Sequence, residues 1–198
     1  MRPEWRETAE RPDDTPLSEE GHEQARETGL FLRERGGVDV IYTSPFLRAV
    51  ETAGGVAEIL NVPIRIENGL CEALKAEWFE VVPNYLSAEQ LAERFPTIDL
   101  DYTSRVHPVY PEDEAAGDVG ARCKRTVDAL LREDWTRTLW VGHGASVGGI
   151  GWALTNHVDD VCFKLCGLSG WQGGPGNWQS IYSGIDHLSY TEEEVRFH

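Results

Sequence analysis

Two short apolar segments are each followed at once by the start of a helix, and this pairing constrains the fold more than any other feature of the chain. Residues 38–43 read as a strand, and Ser44 then caps a helix. Residues 138–142 read as a second strand, after which His143 and Gly144 stand where another helix opens. Strands that alternate with helices predict a mostly parallel sheet covered on both faces, which is a three-layer α/β/α sandwich.

An arginine and a histidine lie at these two strand-to-helix junctions. Arg48 falls in the first turn of the earlier helix, and His143 follows the later strand directly. The carboxyl ends of parallel strands meet at one edge of a sheet, where ligands bind, and the N-terminus of a helix favours an anion. The sequence therefore predicts a phosphate pocket formed by Arg48, His143 and the N–H groups near Gly144.

The remaining pattern completes the predicted sandwich. Helices are predicted over residues 18–35, 44–60, 87–95, about 114–133 and 143–155, with a strand at 63–66 and a hairpin formed by 168–172 and 178–183. Residues 1–16 are rich in proline and charge, which predicts an extended loop that packs poorly. Residues 1–198 are predicted to form a single domain, in which a looser, aromatic-rich insertion at about 73–117 covers the site like a cap.

Composition argues against several classes of partner. The net charge of −16 disfavours binding to nucleic acid or to an anionic membrane, since both need clustered basic residues. No apolar run approaches the roughly 18 residues of a membrane-spanning helix, and no signal peptide is recognisable. We therefore expect an acidic, cytoplasmic protein. The four cysteines lack the spacing of a zinc site, so reduced thiols and no metal or cofactor are expected.

Four sequence motifs lie between residues 16 and 144 of the chain. They are Pro-Leu-Ser-Glu-Glu-Gly at 16–21, Thr-Ser-Pro-Phe-Leu-Arg-Ala-Val-Glu-Thr-Ala at 43–53, Gly-Leu-Cys-Glu at 69–72 and Val-Gly-His-Gly at 141–144. Together they resemble the histidine phosphatase superfamily, also called phosphoglycerate mutase-like. The aromatic segment that follows Glu72 is most similar to the steroid-phosphate and tyrosine phosphatase-like branch.

The resemblance implies a two-step phosphoryl transfer without a metal, in which a histidine takes the phosphoryl group and water then releases it. By match, Arg48 would clamp the phosphate, His143 would donate a hydrogen bond to it, and Glu72 would protonate the leaving oxygen. The substrate would be a small phosphorylated molecule. Cap residues expected to face it are Trp78, Phe79, His107 and Tyr110.

One motif of the family does not occur in the sequence. The family carries its nucleophile in Arg-His-Gly at the end of a first, central strand, and no Arg-His-Gly is present in the 198 residues. We therefore expect a gap in the sheet beside the strand that begins at Thr138. We also expect that the natural reading frame begins upstream of Met1 and that the chain as given is inactive.

Three functions are compatible with this sequence. A phosphomonoester hydrolase acting through a phosphohistidine is the leading hypothesis. A phosphoglycerate mutase would need further cations for a second anionic group, and the cap offers Lys75, Arg94 and Arg105. A non-catalytic phosphate-binding or interaction module would keep Arg48 and His143 as a docking site. A homodimer is left open.

Overall fold

The computed structural model describes residues 8–113 and 118–189 of the chain. In chain order its elements are helix α1 (Glu19–Glu34), strand β1 (Val40–Thr43), helix α2 (Leu47–Leu60), strand β2 (Ile64–Ile66), a 3₁₀ turn (Asn68–Leu70), helix α3 (Ala88–Ala92), helix α4 (Val119–Leu130), strand β3 (Thr138–Val141), helix α5 (Gly144–Thr155), and strands β4 (Leu168–Gly174) and β5 (Asn177–Gly184). The predicted alternation of strands and helices is confirmed.

Strand β1 lies at the centre of a three-stranded parallel sheet with the order β2-β1-β3. Ile41 of β1 pairs with Ile64 of β2, and Tyr42 of β1 pairs with Trp140 of β3. Strands β4 and β5 form a separate antiparallel hairpin, as the sequence predicts.

The side chains of β1 point alternately into two apolar cores, one on each face of the sheet. Ile41 packs with Val50 and other residues of α2 on one face. Val40 and Tyr42 pack with Val127 of α4 and with residues of α5 on the opposite face. All four residues of β1 are buried. Because helices cover both faces, the layered α/β/α arrangement is confirmed.

Strand β3 forms a free edge of the sheet within residues 8–113 and 118–189. Thr138 is exposed and the other three residues of β3 are only partly buried, in contrast to those of β1. A cleft of about 780 Å³ runs along this edge and is bordered by α1, β3 and residues 162–168. Among the described residues, no strand pairs with β3 on the side where the sequence predicts a gap.

Helix α2 begins later than the cap at Ser44 predicts, because its first N–H groups find a partner from elsewhere in the chain. Phe46 occupies the N-cap position without a side-chain hydrogen bond. The N–H of Leu47 donates to Asp14 Oδ1 over 2.6 Å. The Ser44 hydroxyl accepts from the N–H of Phe46 over 3.3 Å and also contacts His143. Since Asp14 is buried, the prediction that residues 1–16 pack poorly is wrong at this position.

Other helix boundaries shift by a few residues. Helix α3 has the predicted capping box of Ser87 and Gln90 but ends at Ala92. Helix α4 covers Val119–Leu130, and residues 114–117 of the predicted helix lie outside the described residues. No helix in the described part of the chain is long and apolar enough to cross a bilayer. The cytoplasmic location and the homodimer stay predictions.

Candidate active site

Arg48, Glu72 and His143 are far apart in the sequence and meet at one end of the cleft. Arg48 Nη2 lies 3.0 Å from His143 Nδ1 and 3.4 Å from Glu72 Oε2. Glu72 Oε2 lies 3.6 Å from His143 Nδ1. These three residues and Gly144, the first residue of α5, line the cleft. They meet because β1 and β3 run parallel and therefore end at the same edge of the sheet.

His143 is fixed at both its backbone and its ring. The backbone N–H of His143 donates to Ser146 Oγ over 2.9 Å, which ties the residue to the first turn of α5. The ring Nε2 lies 2.8 Å from Ser44 Oγ. A guanidinium can only donate, so the contact with Arg48 requires an unprotonated Nδ1. The proton of the neutral ring is therefore on Nε2 and is donated to Ser44.

Burial governs the electrostatics of the two basic groups. It lowers the pKa of His143 well below the ordinary value of 6.5, and the charges of Arg48 and Arg122 lower this pKa further. Burial also lowers the pKa of Arg48, while Glu72 and Asp14 oppose that shift. The site combines an imidazole whose neutral form is favoured by burial with a guanidinium, a group that keeps its proton in proteins.

The lowered pKa of His143 predicts a loss of stability in acid. The unfolded chain takes up a proton near pH 6.5, whereas the folded chain does not, so this contribution is present above pH 6.5 and is lost as the pH falls. The free energy of unfolding should fall by up to about 1.4 kcal/mol per pH unit below that value.

His143→Asn should remove this component in urea unfolding between pH 7.5 and 5.5. His22→Asn, at a half-exposed position, is the control. An equal acid loss in His143→Asn and the wild type would contradict the assignment.

Three of the four predicted cap residues belong to one aromatic cluster beside the site. The cluster contains Phe46, Trp78, Phe79, Tyr85 and Tyr110. The Phe46 ring lies 6.2 Å from the Phe79 ring and 5.1 Å from the His143 ring. His107 is exposed instead, and its Nδ1 lies 3.1 Å from the side-chain nitrogen of Asn68. The cluster contacts the His143 ring through Phe46. The cap itself, and contacts between these four residues and a substrate, stay predictions.

Two groups near the site were not recognised from the sequence. The first is the Ser44 hydroxyl, which the position of Thr-Ser-Pro directly after a strand could have indicated. The second is a buried ion pair between Arg122 and Glu112. Arg122 lies three residues after Val119, on the face of α4 that packs on the sheet. A charged residue on such a face indicates a buried partner, but the pattern does not say which one.

A sequence profile of the histidine phosphatase superfamily (branch 1) matches residues 2–165. The chain belongs to this superfamily. Mouse ubiquitin-associated and SH3 domain-containing protein A is 31% identical over 147 residues, which are 68% of this chain and 23% of the mouse protein. Phosphoserine phosphatase 1 of Hydrogenobacter thermophilus is 28% identical over 131 residues, which are 65% of this chain and 58% of that protein. The chain thus spans less than two thirds of the length of these curated relatives.

Solved structures of the same superfamily share the fold. The ecdysone phosphate phosphatase from Bombix mori, in complex with tungstate, has a TM-score of 0.73 and 23% identity, covering 93% of this chain and 78% of that one. A phosphoserine phosphatase from Entamoeba histolytica, in complex with 3-phosphoglyceric acid, has a TM-score of 0.60 and 20% identity, covering 91% and 90%. The predicted phosphoglycerate mutase-like fold is therefore confirmed.

Proposed function

We propose that the protein is a phosphomonoester hydrolase of the histidine phosphatase type, with a phosphate site formed by Arg48, His143 and Gly144. The observation that carries this proposal is the contact of 3.0 Å between the Arg48 guanidinium and the His143 ring at the N-terminus of α5. The fork of a guanidinium matches the oxygens of a phosphate. Free N–H groups at the start of a helix add further donors.

In the proposed reaction a histidine nucleophile takes the phosphoryl group from the ester, and water then takes it from the histidine. Arg48 holds the phosphate oxygens in both steps. Glu72 gives its proton to the leaving oxygen and later accepts one from the attacking water. When the phosphate dianion is bound, Nδ1 of His143 takes up a proton from solvent, so that the ring donates to a phosphate oxygen from Nδ1 and to the Ser44 hydroxyl from Nε2.

The proposal includes a nucleophile that these 198 residues do not supply. Arg-His-Gly is absent from the sequence. Of the histidines in the described residues (His22, His107, His143, His157 and His187), His143 alone lines the cleft. The free edge of β3 beside it offers a place for a strand that would end at the site. We therefore propose that this chain by itself binds phosphate and does not turn it over.

The alternatives differ in how well the charged residues fit them. A mutase needs free cations for a second anionic group, but Arg94 donates to Glu51 and Arg105 donates to Glu133, each over 2.8 Å. The third candidate, Lys75, is exposed and does not line the cleft. Hydrolysis of a small phosphorylated substrate is therefore favoured over transfer to a sugar acid. The missing Arg-His-Gly favours a non-catalytic phosphate-binding module as the second candidate.

The proposal is tested on the 198-residue chain in metal-free buffer at pH 8. Calorimetry should show saturable binding of tungstate, a tetrahedral dianion that mimics phosphate, while an aryl phosphate is not hydrolysed above the buffer rate. Absence of tungstate binding would contradict the phosphate site. Robust hydrolysis that His143→Ala abolishes would mean that a residue of this chain is the nucleophile, against the proposal.

A further inference from the structure

Arg122 of α4 is the largest fully buried side chain of the described residues. Burial of a guanidinium is costly unless its donors are satisfied, so its partners indicate what the residue holds in place. Arg122 Nη1 donates to the carbonyl oxygens of Gly69 and Cys71 over 2.7 and 3.0 Å. Arg122 Nη2 donates to the carbonyl oxygen of Glu72 over 3.1 Å. All three carbonyls belong to residues 69–74, which we call the Glu72 turn.

Glu112, at the end of the described part of the cap, completes the network from the other side. Its carboxylate accepts from Arg122 Nε over 2.5 Å and from Arg122 Nη2 over 3.0 Å. Glu112 also accepts from the N–H of Leu74 over 2.9 Å and donates its own N–H to the Leu74 carbonyl over 2.8 Å. Arg122 and Glu112 therefore form hydrogen bonds to the backbone of the Glu72 turn both before and after Glu72.

The carboxylate of Glu72 is held over the site by these backbone contacts. Its Oε1 accepts from the N–H of Ala73 over 3.0 Å, and its Oε2 faces Arg48 and His143. The position of this carboxylate thus depends on the backbone that Arg122 and Glu112 fix. Packing alone does not need an ion pair here, since apolar residues of similar volume stabilise a core equally well or better.

We propose that Arg122, together with Glu112, is a positioning residue for the Glu72 carboxylate. This inference rests on the proposed function, in which Glu72 serves as the proton donor beside the bound phosphate. A carboxylate held 3.4 Å from Arg48 repels an anion and competes with it for the guanidinium. Holding the Glu72 carboxylate in place therefore lowers the affinity of the site for an anion. A substitution that weakens the contacts of Arg122 with the Glu72 turn should accordingly raise this affinity.

The test is a double-mutant cycle on tungstate binding to the 198-residue chain, measured by calorimetry at pH 8. Glu72→Gln should tighten binding roughly 10-fold, because it removes a negative charge beside Arg48. Arg122→Lys keeps the buried charge but cannot bind three carbonyls and a carboxylate, so it should release Glu72 and tighten binding roughly 3-fold or more. In the Glu72→Gln background, Arg122→Lys should alter binding by less than about 2-fold. The charge through which Arg122 is proposed to act is already absent there, so the two substitutions are not additive.

Two further variants keep the test decisive. Glu112→Gln removes the partner charge of Arg122 but keeps an oxygen that can accept from the N–H of Leu74. Its effect on tungstate binding should show the same coupling to Glu72. If Arg122→Lys does not fold, the result for Glu112→Gln decides the test. Arg125→Lys makes the same substitution at an exposed position of the same helix, and binding should not change. Weaker binding in Arg122→Lys, or an equal shift with and without Glu72, would overturn the inference. A wild-type chain that binds no tungstate would overturn the proposed function itself.

Discussion

An N-terminal extension that adds an apolar strand ending in Arg-His-Gly is expected to convert the 198-residue chain, for which we propose phosphate binding without turnover, into a metal-free phosphatase. The free edge of β3 presents backbone N–H and C=O groups to a cleft of about 780 Å³, so a strand that enters the cleft can pair with it. A strand parallel to β3 would end beside His143 and Arg48. Its histidine would then face a phosphate held between these two residues.

The matched control is the same extension ending in Arg-Ala-Gly. Both extensions should raise the melting temperature, because both fill the edge of the sheet, but only the one with histidine should hydrolyse an aryl phosphate. The expected ratio of kcat/KM is at least about 10³-fold, as for other enzymes that lose a covalent nucleophile. Equal activity of the two extended proteins would contradict the proposed phosphohistidine.

The parts of the fold that could be predicted from the sequence depend on neighbouring residues. Ser18 caps α1 and Ser87 forms a capping box in α3, and in both cases the bonded partner lies three residues away. The alternation of strands and helices fixes the parallel sheet, and parallel strands bring their carboxyl ends together. The meeting of Arg48 and His143 follows from this topology, although 95 residues separate them.

The features that could not be predicted depend on contacts between distant residues. Asp14 binds the first N–H of α2 across 33 positions, and Ser44 contacts His143 across 99 positions. Arg122 reaches the carbonyl of Gly69 across 53 positions. Periodicity shows that such residues lie on a buried face, but it does not identify the group that satisfies a buried charge, because that group is chosen by the tertiary structure.

Removal of the Arg48 guanidinium is expected to abolish most of the anion affinity of the cleft. His143 is neutral in the free protein, so Arg48 supplies the positive charge next to it. Loss of a desolvated charged partner costs about 2–5 kcal/mol, which corresponds to roughly 30-fold to 4,000-fold in Kd for Arg48→Ala. Arg48→Lys keeps the charge but loses the planar fork, and an intermediate loss of roughly 10-fold is expected.

The most direct test of the phosphate site is tungstate calorimetry on the wild-type chain, Arg48→Ala, Arg48→Lys and Arg105→Ala. Arg105→Ala makes the same change in net charge at a residue that pairs with Glu133 outside the cleft lining. We predict that Arg105→Ala binds tungstate within about 2-fold of the wild type while Arg48→Ala loses at least roughly 30-fold. Equal binding by Arg48→Ala and Arg105→Ala would contradict the assignment of Arg48 and His143 as the phosphate site.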